Sequence, residues 1–170
     1  MISAEPGVML AIRTADCLPI LLLDPSKKIV AVIHAGWKGT VLRITQKVLR
    51  RLKHEFGTDP ASLLVALGPA IGTCCYTVDE TVTVPFRDSF PCPERFLKAF
   101  RKVPSDKGTL AEYRLDIPGA NRYELIAEGV LERNIHDVGL CTACNPELFF
   151  SHRRDRGLTG RHIAVAGFRA

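Results

Sequence analysis

A length of 170 residues suits one domain with a single sizeable core, and 46% hydrophobic against 24% charged residues is ordinary for a soluble globular protein. No apolar run approaches the ~18 residues of a membrane-spanning helix, and the opening MISAEPGVML lacks a basic stretch ahead of an apolar one, so membrane and secretory readings are set aside and the cytoplasm is expected. The net charge of +5 gathers in Arg50-Arg51-Leu52-Lys53-His54 and in His152-Arg153-Arg154-Asp155-Arg156 with Arg161-His162. Neither stretch interleaves aromatics, so nucleic acid is not an expected partner.

The chain order begins with a strand over 8–12, then two apolar runs, 18–23 and 29–33, split by Asp24-Pro25-Ser26-Lys27. That break reads as a turn and the runs as a hairpin. A helix follows, capped by Thr40 and running to Phe56, with Val41, Ile44, Val48, Leu49 and Leu52 as its inward stripe. Residues 63–67 form a short strand, and Gly68-Pro69 opens a loop carrying Ile71, Gly72 and Tyr76. Prolines 85, 91, 93 and 104 cut the middle into helical turns over 80–87 and 93–100, with a mobile tip at Ser105-Asp106-Lys107-Gly108. A strand over 113–116, a helix over 119–133 and a strand over 138–140 lead to the Cys141 turn. A last strand covers 163–168. Alternating strands and helices with at least one hairpin predict a mixed α/β sandwich rather than a doubly wound parallel fold.

The chemistry-bearing residues sit at the hairpin's open end. Closing it with Leu23 opposite Lys28 places Cys17 directly across from His34, where facing Cβ atoms lie ~4.5–5.5 Å apart. A thiolate and an imidazole there suit zinc, although an apolar-face cysteine and a histidine at a strand end are commoner as structural residues. Asp16 either orients a neighbour or caps the strand entrance. Gly36 and Gly39 flank Trp37 and Lys38 where the chain turns into a helix, so Lys38 would add charge at an anion-attracting end. Trp37 reads as a packing anchor before a base-stacking platform. The six cysteines read as thiols, not a disulfide framework. Cys141-Thr142-Ala143-Cys144 alone is a weak signal for half a zinc site or a redox pair, and the bland reading is a partly buried thiol with an incidental neighbour. The vicinal Cys74-Cys75 reads as packing. Ser151, Arg153, Arg154, Thr159, Gly160 and Arg161 put hydroxyls and guanidinium forks close together, either as a solvated basic loop or as an anion site.

The runs TADC, HAGWKG, GPAIGTCCYTV and FFSHRRDRGLTGR, in this order, resemble the YfiH/LACC1 family of zinc-dependent purine-nucleoside enzymes, also labelled laccase-domain or multicopper polyphenol oxidoreductases. The resemblance implies a mixed-sheet α/β/α sandwich in one YfiH-like domain covering 1–170. It also implies phosphorolysis of purine nucleosides including methylthioadenosine, and deamination of adenosine. Purine nucleoside and phosphate are then the partners and zinc the cofactor, with copper the lesser alternative. Cys17 and His34 match two ligands of a His, Cys, His metal site, and the first histidine belongs to a segment upstream of Met1. The expectation is therefore a chain lacking its opening strands, holding zinc weakly, with exposed sheet surface open to homo-oligomer formation. Asp16 and Lys38 are the expected catalytic residues, and Ser151, Arg153, Arg154 and Arg161 the expected substrate contacts.

Three rivals remain at this level. A multicopper phenol oxidase needs paired histidines, and this chain has five, none in an H-x-H pair. A non-enzymatic, remodelled member fits a missing ligand. A cysteine hydrolase would use Cys17 and His34 as nucleophile and base.

Overall fold

The computed structural model describes residues 1–105 and 108–169, with the backbone alone over 101–111. Its centre is a five-stranded sheet. The strands are β1 (Ile2–Ser3), β3 (Leu18–Asp24), β4 (Ile29–Ala35), β5 (Leu64–Leu67) and β9 (Ile135–Asp137). Their order is β1-β4-β3-β5-β9, antiparallel except for the parallel pair β5–β9. A second ribbon pairs β2 (Met9–Thr14) with β10 (His162–Gly167), and a third sheet orders β6 (Thr77–Val78), β8 (Gly108–Leu115) and β7 (Leu97–Ser105). The class is mixed α/β with a mixed sheet.

Period-two alternation explains how the central sheet is covered. Leu18, Ile20 and Leu22 of β3 and Ile33 and Ala35 of β4 are buried in one core with Leu49 and Leu52. The two leucines belong to α2 (Ile44–Phe56), which packs on that face. Losing a side chain such as Leu49 would cost about 2–5 kcal/mol. The β2–β10 ribbon packs against β3 and β4. Leu21, Leu23 and Val30 line an apolar trench of about 310 Å³ that Ala166, Gly167 and Phe168 border.

The hairpin register differs from the expected one. Leu18 pairs with Ala35, Pro19 with His34 and Asp24 with Ile29. The cause is the turn, where the Asp24 carboxylate accepts from the Ser26 and Lys27 amides at 3.1 and 3.0 Å. Asp24 thereby ends β3, the loop moves on by one residue, and every cross-strand pair shifts by two. Cys17 is not directly opposite His34. Because the shift is even, every residue of the ladder keeps its expected face, and Cys17 sits in the bend just ahead of it.

Several of the expected elements needed correction. Thr40 does not cap a helix. It lies inside the short α1 (Trp37–Val41), fully buried, its hydroxyl accepting from Asn121 Nδ2 at 3.0 Å. The chain breaks at Arg43, left-handed at φ 56°, which lets its guanidinium meet the buried Glu124 carboxylate and the Ser89 carbonyl. Residues 93–100 are only a 3-10 turn (Pro93–Arg95) followed by β7, because Phe96 and Leu97 are buried and β7 ladders with β8. The later helix is α4 (Ile117–Ala127), shorter than expected, with the Asp116 carboxylate accepting the Gly119 amide at 2.9 Å. The strand expected at 138–140 is β9 instead, three residues earlier. The 80–87 turns extend to α3 (Glu80–Ser89), whose Phe86 stacks on Phe90 at 4.4 Å. Asp106 and Lys107 of the expected tip lie outside the described residues.

Candidate functional site

Two adjoining cavities open where β3 and β4 end. One, about 450 Å³, is lined by Arg13, Ala15, Asp16, Cys17, His34, Trp37, Tyr76, His152, Arg153 and Arg161. The other, about 230 Å³, shares Asp16, Cys17, Trp37 and Tyr76 and adds Gly36, Lys38, Ile71 and Ile117. Asp16, at φ 83°, lies in the bend that joins β2 to β3 at this opening.

Asp16 is nearly buried and fully engaged. Its carboxylate accepts from the Thr142 hydroxyl and from the Arg153 amide, both at 2.6 Å, and its carbonyl accepts from the Ile71 amide at 2.9 Å. One residue thus ties three loops to the mouth of the hairpin. Charge-assisted bonds of this kind are roughly twice as strong as neutral ones.

Cys17 lies against Gly36. A Cβ on Gly36 would sit 2.8 Å from the Cys17 sulfur, so the missing side chain is what lets the sulfur occupy its place. Burial raises the Cys17 thiol pKa, and the Asp16 charge adds to that, while Arg161 opposes it. His34 is exposed and lines the same cavity. The donor set, one sulfur and one imidazole beside an open cavity, suits zinc. Among the described residues, this pair belongs to no group of three or more His, Cys, Asp or Glu donors within 4.8 Å of one another. That is two ligands against the usual three.

The basic loop divides by function. Arg153 lines the larger cavity, its guanidinium donating to the Thr77 carbonyl at 2.7 Å and lying 4.9 Å from the Tyr76 ring. Arg161 lines it too, donating to the Thr159 and Gly160 carbonyls at 2.8 Å each. Arg154 is turned into the loop, where it donates to the Thr142 and Phe149 carbonyls and pairs with Asp155. Arg154 holds the Asp155 carboxyl down at about 2. Ser151 is fully buried, and its hydroxyl accepts the Arg154 amide at 3.1 Å. Neither Ser151 nor Arg154 lines either cavity. Lys38 borders the smaller one, its ammonium 5.5 Å from the Trp37 ring. Five-residue α1 is too short to act as an anion-binding helix end, so Lys38 stands on its own charge.

Sequence reasoning missed Arg13 and Tyr76. Arg13 enters through the β2–β10 ladder, where it pairs with Ile163, and no local signal marks that pairing. Tyr76 enters from the loop after β5, and burial pushes its hydroxyl up to about 12. The larger omission is a cluster. Cys74, Cys75, Cys141 and Cys144 bring their sulfurs within 4.8 Å of one another, a set able to hold a metal ion. Burial raises the Cys74 thiol to about 11. Cys141 comes down to about 7, because amides of Gly72, Cys144 and Ala143 outweigh its desolvation.

Known proteins resemble this arrangement over nearly all of the chain. A Geobacillus stearothermophilus protein named purine nucleoside phosphorylase YlmD is 43% identical over 165 residues, covering 97% of this chain and 58% of that protein. Another relative, named adenosine deaminase RL5 and of unknown prokaryotic origin, is 33% identical over 157 residues, 91% of this chain and 56% of its own. The crystal structure of Bacillus licheniformis YfiH superposes with a TM-score of 0.90 at 37% identity, covering 99% of this chain and 60% of that one. The chain thus spans about three-fifths of the length of these relatives. Residues 1–169 match the family model described as multi-copper polyphenol oxidoreductase laccase, and the chain belongs to that family.

Proposed function

We propose that this chain carries the nucleoside and phosphate site of a zinc-dependent purine nucleoside phosphorylase that also deaminates adenosine and accepts methylthioadenosine. One observation carries the reading: Cys17 and His34 share a cavity with Arg13, Arg153 and Arg161. The names of the relatives, purine nucleoside phosphorylase and adenosine deaminase, support the substrate class. Zinc held by Cys17 and His34 supplies Lewis acidity and a water of lowered pKa when bound.

In phosphorolysis a phosphate oxygen bonds to the anomeric carbon as that carbon's bond to the purine nitrogen breaks. The purine leaves with the bonding electron pair and takes up a proton. The guanidinium groups of Arg13, Arg153 and Arg161 hold the phosphate charge at the cavity wall. Arg153 is already oriented by Asp16, Thr77 and Tyr76, so little reorganisation is needed as charge shifts. Trp37 and Tyr76 flank both cavities and offer flat faces to a purine. Lys38 adds a cation at the smaller cavity, and Asp16 acts by positioning the loops. Ser151 and Arg154 contribute by holding the loop that presents Arg153. In deamination the purine 6-amino group departs as ammonia and is replaced by oxygen from water.

The test is conversion of inosine and phosphate into hypoxanthine and ribose 1-phosphate by the zinc-loaded protein. Cys17→Ser and His34→Ala should each remove most turnover. Undiminished turnover in both variants would overturn the assignment.

A further inference from the structure

We propose that Cys74, Cys75, Cys141 and Cys144 form a second metal site, a zinc tetrathiolate that clamps the loop after β5 to the turn after β9. It is separate from the Cys17–His34 pair and does not depend on the reading of that pair.

The geometry points to one ion shared by four sulfurs rather than to two disulfides. The Cys144 sulfur is 3.4 Å from that of Cys74 and 3.3 Å from that of Cys75. Disulfide pairing would have to choose between two equal neighbours. All four sulfurs instead converge within 4.8 Å. A tetrahedral site with zinc–sulfur bonds of ~2.3 Å sets sulfurs roughly 3.8 Å apart, the same scale. Soft, all-thiolate tetrahedral donor sets select zinc or iron, and four thiolates with no open position make a structural zinc site.

The surroundings are built for thiolates. The Gly72 amide donates to the Cys141 sulfur at 3.2 Å, an outer hydrogen bond that favours the ionised ligand. A Cβ on Gly72 would meet Cys141 Cβ and Cys74 Sγ at 3.3 Å each, so glycine is what allows the loops this close. Arg114 donates to the Thr73 and Cys74 carbonyls, bringing positive charge to the rim of a site whose four thiolates exceed the ion's charge. Cys74 and Cys144 are exposed, so an ion has a path in.

The clamp bears on the cleft. Between the two ligands of the C-x-x-C lies Thr142, fully buried, which donates its hydroxyl to Asp16 and its amide to the Ala70 carbonyl at 3.0 Å. The other loop carries Ile71, whose amide also reaches Asp16, and Tyr76, which lines the cavities. Fixing the two loops to each other fixes what holds Asp16.

The experiment is zinc analysis and cobalt(II) spectroscopy on the full chain purified under reducing conditions. The unmodified protein and the Cys17→Ser/His34→Ala variant should each retain one tightly bound zinc per chain, and Cys144→Ser should lose it. Removal of one thiolate is expected to weaken affinity at least tenfold. Cobalt(II) in the unmodified protein should show the sulfur-to-metal charge transfer of four thiolates, not of one. The cobalt spectrum decides the matter even where Cys144→Ser fails to fold. Cys92→Ser, outside the cluster, should leave both readouts unchanged. A cobalt spectrum without tetrathiolate absorption would overturn the proposal, as would zinc content unaltered in a folded Cys144→Ser. Failure of the phosphorylase reading alone would leave these metal readouts intact.

Discussion

The two sulfur-bearing regions are built in opposite ways, yet each depends on a glycine. At the cleft, His34 rides on β4 and Cys17 sits in the bend just before its partner strand β3, so one end of the hairpin sets their relation. In the cysteine cluster, the ligands come from two loops about seventy residues apart in sequence, and no ladder joins Cys74 to Cys144. Gly36 leaves room for the Cys17 sulfur, with a Cβ contact that would be 2.8 Å. Gly72 leaves room for Cys141 and Cys74, with contacts that would be 3.3 Å. A pair at one end of a hairpin is held by the strands beside it whether or not metal is present, whereas ligands from two remote loops need the ion, or bonds such as Thr142 to Asp16, to hold them.

The largest expected effect separates the two regions outright. Cys17→Ser should lower inosine phosphorolysis by about a hundredfold, since ligand loss is at least as costly as the 10–100-fold typical of outer-shell changes. Thermal stability should barely move in that variant, while removing zinc from the cluster should lower it by several degrees. Equal melting shifts from both would break the comparison.

Asp16→Ala should destabilise the protein by about 2–4 kcal/mol, because two charge-assisted bonds are lost and alanine is strained at positive φ. Asp16→Asn tolerates that backbone and should cost less. Urea unfolding measures both, and amide exchange should rise across residues 150–156. A neutral Asp16→Ala would deny that this carboxylate joins the two regions.

The two adjacent arginines should part ways. Arg153→Ala should raise the KM for phosphate about tenfold, the scale of one lost hydrogen bond to a charged group. Arg154→Ala should leave that KM alone and lower the melting temperature, since its guanidinium serves the loop. Steady-state kinetics against phosphate distinguishes them.

Gly36→Ala should likewise cost turnover about tenfold, and Gly72→Ala should weaken zinc in the cluster by only roughly threefold, because a 2.8 Å clash demands more movement than 3.3 Å contacts. Competition with a chromogenic chelator reads the second.

The finest effect is on pH. The Asp155 carboxyl is held at about 2, below its unfolded value, chiefly by the Arg154 side chain. A depressed carboxyl favours the fold above its unfolded pKa and loses that contribution as pH falls through the folded one. The Arg154–Asp155 staple should therefore persist at neutral pH and open between about pH 4 and 2. Carboxyl chemical shifts followed by NMR would show a midpoint near 4 if the staple were absent.

Much of this was legible because it is local. Alternation in residues 18–23 and 29–33 decides which side chains of the hairpin share a face, since side chains repeat every two residues. Even a register shifted by two leaves that conclusion standing. The helical stripe with Leu49 and Leu52 was equally plain, as was the neighbourhood of Arg153 and Arg161 in one loop. The shift itself came from Asp24, whose carboxylate closes the turn through hydrogen bonds that composition does not announce. The strand at residues 97–105 was obscured by prolines, and only pairing with β8 makes it a strand.

What tertiary structure alone decided is which distant residues meet. Cys74-Cys75 and Cys141-Thr142-Ala143-Cys144 are unremarkable apart, and they become a four-sulfur set only because Ala70 bridges to Cys141 beside the parallel pair β5–β9. Arg154 and Arg153 are chemically identical in sequence, and folding sends one guanidinium to backbone carbonyls inside the loop and the other to the cavity wall. Sequence patterns encode periodicity and short-range turns, because those forces act within a few residues. Contacts between remote segments depend on how whole sheets and loops pack, so they are visible only once the chain is folded.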